Sequence, residues 1–232
     1  SDVCSSDLAT TAVATLAGLS VKQYAEYEQL TGGVETLFKN SSDKVMEYAN
    51  NAYKAAGMSA NEYMNTITGF AASLLQGLGG DTEKAAKIGN MAVEDMADNA
   101  NKMGTSIELI QNAYQGFAKQ NYTMLDNLKL GFGGTKEEMQ RLLQEASKIS
   151  GIKYDISNFS DIIEAIHVIQ NEMGITGTTA KEAASTIEGS LSMTKSAWTN
   201  LLTGMADDNA DFDKLVDNLV NSVGTLGENL RS

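Results

Sequence analysis

Four groups of residues in this chain have types and spacing that could do chemistry. Gly131-Phe132-Gly133-Gly134-Thr135-Lys136 is glycine-rich and ends in Thr-Lys, which suggests a loop whose backbone N–H groups cradle phosphate oxygens. A phosphate loop needs a preceding strand and the order G-x-x-x-x-G-K-[ST], and neither is present, so the segment reads as a helix-to-helix turn. Asp207, Asn209 and Asp211 offer oxygens at the alternating positions of a calcium loop. Such a loop also needs Gly at its sixth position and Glu at its twelfth, where this chain has Phe212 and Asn218. Acidic residues in a linker and in a helix first turn, favoured by the helix dipole, account for the same pattern. His167 is the sole histidine and sits among Ile163, Ile166 and Ile169, with Asp161 and Glu164 nearby. A general base or metal ligand would need partners that the sequence does not identify, so His167 reads as a helix-surface or boundary residue. Glu137, Glu138 and Glu145 could pair as glycosidase acids, but helix-surface glutamate is the default for such residues. No catalytic, cofactor-binding or metal-ligating residue is assigned, and the chain is expected not to be an enzyme.

The elements that position these groups are expected to be helices. Proline is absent, 21 glycines must supply the punctuation, and alternation of β-branched and aromatic residues is hard to find. Four times a Gly is followed by a hydroxyl residue and then, three residues on, by Glu: Gly57 with Ser59/Glu62, Gly104 with Thr105/Glu108, Gly134 with Thr135/Glu138, and Gly177 with Thr179/Glu182. In each, the Gly can end one helix and the hydroxyl–Glu pair can cap the next. Apolar stripes at helical spacing fall between them. They are Val45–Ala49–Ala52–Tyr53–Ala56, Met64–Ile67–Phe70–Ala71–Leu74–Leu75–Leu78, Ile110–Ala113–Tyr114–Phe117–Ala118, Met139–Leu142–Leu143–Ala146–Ile149, Ile162–Ile166–Ile169–Met173, and Phe212–Leu215–Val216–Leu219–Val220–Val223. The stretch from Asp81 to Met103 is Ala- and Met-rich and reads as a helix with a shallow contact face. The expected fold is all-α, a cluster or bundle of about eight short amphipathic helices joined by Gly-rich turns. Sustained heptads are missing, which argues against a long coiled coil.

The formal net charge of −13, with no Lys/Arg cluster, excludes nucleic acid as an expected partner and disfavours anionic membrane surfaces. No segment reaches the ~20 apolar residues of a membrane span. The nearest, Leu8 to Val21, is short and diluted by Thr, Ser and Gly. Residues 1–8, Ser-Asp-Val-Cys-Ser-Ser-Asp-Leu, match the in-frame translation of a common short-read sequencing adapter. Arg231-Ser232 fits the opening of the opposite strand. Residues 1–8 are therefore read as an artefact and 9–232 as the genuine segment, an internal fragment of a longer protein. Cys4 is the only cysteine, so the genuine segment offers no disulfide, thiolate nucleophile or zinc knuckle.

Three strings go beyond composition. Ala113-Tyr114-Gln115-Gly116-Phe117-Ala118-Lys119-Gln120-Asn121-Tyr122-Thr123-Met124-Leu125-Asp126-Asn127-Leu128 runs directly into Lys129-Leu130-Gly131-Phe132-Gly133-Gly134-Thr135-Lys136-Glu137-Glu138-Met139. Downstream come Gly174-Ile175-Thr176-Gly177-Thr178-Thr179-Ala180-Lys181-Glu182-Ala183 and Ser196-Ala197-Trp198-Thr199-Asn200-Leu201-Leu202-Thr203-Gly204-Met205-Ala206-Asp207. Together with Tyr27-Glu28-Gln29-Leu30-Thr31-Gly32-Gly33-Val34-Glu35 upstream, the run resembles the core of tape measure proteins from tailed phages and prophages of Gram-positive bacteria. The resemblance spans about Ala17 to Val223. It implies a structural virion protein that lies in the tail tube lumen, sets tail length and templates tube assembly. The implied partners are the tail tube protein, tail-assembly chaperones and the baseplate hub or distal tail protein, with self-association a further option. The alternatives are a cell-wall hydrolase or a membrane-active segment of the same tail protein, although no motif for either is visible in this chain.

Overall fold

Short polar side chains and left-handed residues set the helix boundaries. The structure, a computed structural model, describes residues 2–232, with side chains described from Ser6 onward. Among the described residues there is no strand, and the all-helical expectation holds. The helices are α1 (Asp2–Phe38), α2 (Ser42–Ala55), α3 (Ala60–Thr68), α4 (Ala71–Gly77), α5 (Thr82–Met103), α6 (Ile107–Ala118), α7 (Lys136–Ser150), α8 (Phe159–Glu172), α9 (Thr178–Ser185), α10 (Ile187–Met205) and α11 (Phe212–Arg231). Ten of these have eight residues or more, so the expected count of about eight is too low. One reason is that the stripe from Met64 to Leu78 is broken at Gly69–Phe70, giving α3 and α4. Another is that α9 and α10 are separated by Thr186 alone, whose extended backbone (φ −123, ψ 156) ends one helix while its side chain caps the next. The junctions are also not uniformly Gly-rich. Lys39, Gln120 and Lys129 take left-handed conformations at three of the turns.

Two of the four expected caps form as the sequence suggests. Ser59 accepts from Glu62 N, and Thr135 accepts from Glu138 N. The other two need correction. At α6 the cap is Ser106, accepting from Leu109 N, while the Thr105 hydroxyl donates to the carbonyl of Asn127. At α9 the Thr179 hydroxyl caps nothing, because a carboxylate from α5 takes the helix's first amides. A long-range acceptor in the folded chain outcompetes the local hydroxyl, and no local pattern could reveal it.

One large core runs from Val34 to Ile175 and draws on α1 to α8, and a small second cluster joins Tyr53 of α2 to Ala183, Met193 and Ala197. The stripes on α2, α3, α6 and α8 are buried, but several run on past what the core covers. Ile149 in the last turn of α7 and Met173 after α8 are exposed, as are Phe212, Val220 and Val223 of α11, which packs chiefly against α10. The segment expected to make a shallow contact is the most central. α5 touches α1, α2, α3, α4, α6, α8 and α9, and it buries Ala85, Ala86, Gly89, Ala92, Val93, Met96 and Ala97. Small side chains score as weakly apolar yet allow close approach. A Cβ on Gly89 would stand 2.9 Å from Ile67 Cδ1, so neighbouring helices close on α5 where bulkier residues would hold them off.

α1 is a single helix of 37 residues, about 55 Å long at ~1.5 Å per residue. Its C-terminal half packs through Val34 and Phe38, while Leu8, Val13, Leu19 and Val21 are exposed. Of the stretch read as an adapter artefact, Ser1 and the side chains of residues 2–5 lie outside the described residues, and Ser6, Asp7 and Leu8 are exposed.

Candidate functional site

The glycine-rich turn before α7 is closed by the chain's own side chains. Gly133 N donates to Glu138 Oε1 at 3.0 Å, so an amide that a phosphate would use is occupied by a carboxylate. Arg141 donates from Nε to Glu138 Oε2 at 2.6 Å and from Nη2 to the Gly131 carbonyl at 2.7 Å, and its guanidinium lies 4.2 Å from the Phe132 ring centroid. A Cβ on Gly134 would collide with the Thr123 carbonyl, which is why glycine stands there. The Arg141 hydrogen bond, then the Gly133 amide, holds the Glu138 carboxyl down at about 2. Glu138 is thus a fixed carboxylate clamping a turn, without the raised proton affinity of a glycosidase acid. Glu145 pairs with Lys148 at 3.1 Å on the surface. Because Thr135 only caps α7, Thr135→Ala is expected to cost ~1 kcal/mol in denaturant unfolding without changing the fold. A loss above about 3 kcal/mol would mean that this turn carries more than a cap.

The Asp207–Asp213 segment uses its oxygens locally. Asp207 Oδ1 accepts from Asn209 N at 2.9 Å, and Asp211 Oδ1 accepts from Lys214 N at 3.2 Å as the N-cap of α11. Among the described residues, no group of three or more His, Cys, Asp or Glu is placed to hold a metal ion.

The principal polar site lies on α5 and joins residues far apart in the sequence. His167 of α8 places Nδ1 3.0 Å from both carboxylate oxygens of Asp95, which is 1% exposed. Its sequence neighbours do not serve as partners: Asp161 accepts instead from the Asp155 amide. Burial pushes the Asp95 carboxyl up to about 6 against the lowering effect of His167, while the hydrogen bond that the imidazole donates to Asp95 raises the imidazole. One turn on, Asn99 Nδ2 donates to Gln170 Oε1 at 2.8 Å and to the Leu128 carbonyl, and Gln170 Nε2 donates to the Asp95 carbonyl at 3.1 Å. Asp98 receives Gly177 N at 2.8 Å and Thr179 N at 3.0 Å. Tyr114 is buried beside these carboxylates, and burial followed by Asp95 and Asp98 raises its hydroxyl well above the ordinary value. The seam therefore ties α5 to α8, to the start of α9 and to the Leu128 carbonyl, with the Asp95–His167 couple able to hold a proton. Acyl or glycosyl chemistry would require a nucleophile or second acid against that imidazole, and its hydrogen-bond partner is the Asp95 carboxylate.

Beside the seam, an open cleft of roughly 1000 Å³ separates α3, α5 and α6 from α9 and α10. Glu62 and Glu108 line one side and Glu182 and Glu188 the other, and no Lys or Arg lines it. Desolvation, then repulsion from Glu108 and Glu26, raises the Glu62 carboxyl above its usual range. A smaller space of about 270 Å³ lies between Asn200, Asp207, Asp211 and Lys214.

Sequence reading missed the seam. Its members are i, i+3 and i+4 neighbours on α5 (Asp95, Asp98, Asn99), and a polar stripe on a helix ordinarily faces water. The available signal was that this stripe lies between small residues on a helix lacking a wide apolar face of its own. Among the described residues, no helix is long and apolar enough to cross a membrane. Comparison of the chain with family models, curated proteins and solved structures finds no match.

Proposed function

We propose that this chain is a helical structural segment of a phage tail tape measure protein, acting by occupying length and docking partners and not by turnover. The observation that carries the reading is the ordered run of motifs, above all residues 113–139. In the fold these residues are α6, the turn that Arg141 and Glu138 close, and the start of α7. Their large apolar members Tyr114, Phe117, Tyr122, Leu125, Leu128, Leu130 and Met139 are buried. A motif whose residues pack and cap, with no reacting group among them, suits a structural role. The exposed half of α1 gives a second support, as a helix extending from a packed body is a shape that can add length. In this proposal the segment lies in the tail tube lumen of the virion after synthesis in the host cytoplasm. It contacts the tail tube protein, tail-assembly chaperones and the baseplate hub or distal tail protein.

Mass spectrometry of purified tails tests the reading. Peptides from 113–139 and 160–205 are expected in intact tails, at a few copies per tail and far below the tube protein, and are expected to be lost after DNA ejection. Their absence from purified virions would sink the proposal.

A further inference from the structure

The last three helices lie outside the large core and meet the rest of the chain through one small apolar cluster and a set of hydrogen bonds. None of α9, α10 or α11 contributes to the large core, and the small cluster holding Ala183, Met193 and Ala197, with Leu219 against it, takes only Tyr53 of α2 from the body. Beside that Tyr53 contact, a set of hydrogen bonds crosses to the body. Ala60 N donates to Asn200 Oδ1 at 2.8 Å, Ser20 Oγ donates to the Leu202 carbonyl at 2.6 Å, Ser196 Oγ donates to the Gly57 carbonyl at 3.1 Å, and Asn101 Nδ2 donates to Thr179 Oγ1 at 2.8 Å. The only ionised group among these contacts is the buried Asp98 carboxylate, which takes two amides at the start of α9. Hydrogen bonds to a charge are the strong members of such a set. The link between α8 and α9 contains two glycines in left-handed conformations, Gly174 (φ 73) and Gly177 (φ 85). Across the cleft, Glu62 and Glu108 of the body meet Glu182 and Glu188 of the last helices without a lining cation, and like charges there repel.

We propose that residues 178–231 form a hinged layer that opens from the α1–α8 body as one unit, latched by Asp98 at the start of α9 and pushed open by the cleft glutamates. An interface with so small an apolar cluster opens at a free energy below that of global unfolding, because opening exposes far less apolar surface than unfolding the α1–α8 core does. The latch is charge-assisted and short, so a single side chain controls a large movement. Opening would bare the cleft walls together with the buried faces of Asn200 and Ser196. The inference concerns the chain's own mechanics and stands whether or not the tape measure reading does.

Native-state hydrogen exchange of the whole chain, read by mass spectrometry, tests it. In the parent protein the amides of α9, α10 and α11 are expected to exchange as a group, well before those of α5 and α8. Asp98→Ala should speed the layer's exchange roughly ten- to a hundred-fold, the worth of charge-assisted hydrogen bonds, and leave α5 and α8 unchanged. Trp198, the sole tryptophan, lies on α10 and should report the same opening by fluorescence. Raising salt from about 20 to about 500 mM should slow opening several-fold by screening the glutamates. If the layer and α5–α8 exchange together in the parent, there is no hinged unit. Equal acceleration of layer and body in Asp98→Ala would remove the latch, and salt-independent opening would remove the spring. Should Asp98→Ala fail to fold, the parent's exchange order and Asn101→Ala, which removes only the Thr179 contact, still decide the matter.

Discussion

Replacing His167 by Ala is expected to lower the melting temperature by roughly 6–12 °C at about pH 6.5, where Asp95 is ionised and the imidazole still protonated, and by much less at about pH 9. When protonated, the imidazole is the cation at the Asp95 carboxylate, with Glu94 and Asp98 on the same helix adding only negative charge. Removing one partner of a buried pair costs ~3 kcal/mol or more because the other is left charged and unpaired. For a chain of this size each kcal/mol shifts melting by about 2–4 °C. The pH dependence follows from the direction of the shifts. Asp95 titrates at about 6 against 3.8 for the free group, so folding takes up a proton there, and the stability gained is lost as pH rises through about 6. His167 is raised above 6.5, so its contribution is present below that value and is lost as pH rises through the higher folded one. Both shifts move the same way, and the parent should be more stable near pH 5.5 than near pH 8. Without His167 the Asp95 carboxyl rises further, so the variant loses most where the parent holds both the ionised Asp95 and the protonated imidazole. Adding Asp95→Asn to His167→Ala should then recover much of the loss at about pH 6.5. Equal losses at both pH values would show that His167 acts by packing alone.

What could be read from the sequence divides along physical lines. Helix identity and the buried faces of α2, α6, α7 and α8 were legible because each is written locally, in apolar residues three and four apart. Ser59 and Thr135 were legible for the same reason: a cap and its amide are three residues apart. α5 was misjudged because its burial depends on what seven other helices bring to it, and alanine and glycine carry little of that information. The seam was invisible for a related reason. Asp95 and His167 are 72 residues apart, and Asp98 meets Gly177 and Thr179 at separations of 79 and 81. No periodicity spans such distances. The reading of Gly131–Lys136 as a turn was sound, yet its closure by Arg141 and Glu138 needed the helix to be in place first. α11 shows the opposite limit. Its apolar pattern was plain, but the pattern alone could not say that Phe212, Val220 and Val223 would be left exposed.

In-frame deletions made in the phage genome are expected to separate the two ways in which a tape measure segment can act. A ruler stretch shortens the tail by ~1.5 Å for each helical residue removed. A packed docking body does not shorten; it fails. Removing α7 (Lys136–Ser150) would strip Met139, Leu142, Leu143 and Ala146 from the core, all of them buried. At ~2–5 kcal/mol for each of Met139, Leu142 and Leu143, the loss of about 6–15 kcal/mol is as large as the ~5–15 kcal/mol that holds a domain of ordinary stability together. Any deletion between Ser106 and Met173 meets the same difficulty, since α6, α7 and α8 surround the same core as α5. Assembly failure, with no tails in electron micrographs, is therefore expected for that region. The stretch 9–19 is different, because its residues lie on the exposed half of α1 and hold no core partner. Its deletion should leave the body folded and, if α1 lies along the tube, yield tails shorter by about 16 Å, the length of 11 helical residues. Measured as a population mean over many tails, so small a change is resolvable. Normal tail length and infectivity after both deletions would leave neither a ruler nor a docking role for this segment, and the cell-wall hydrolase and membrane-active readings would then be the ones to pursue.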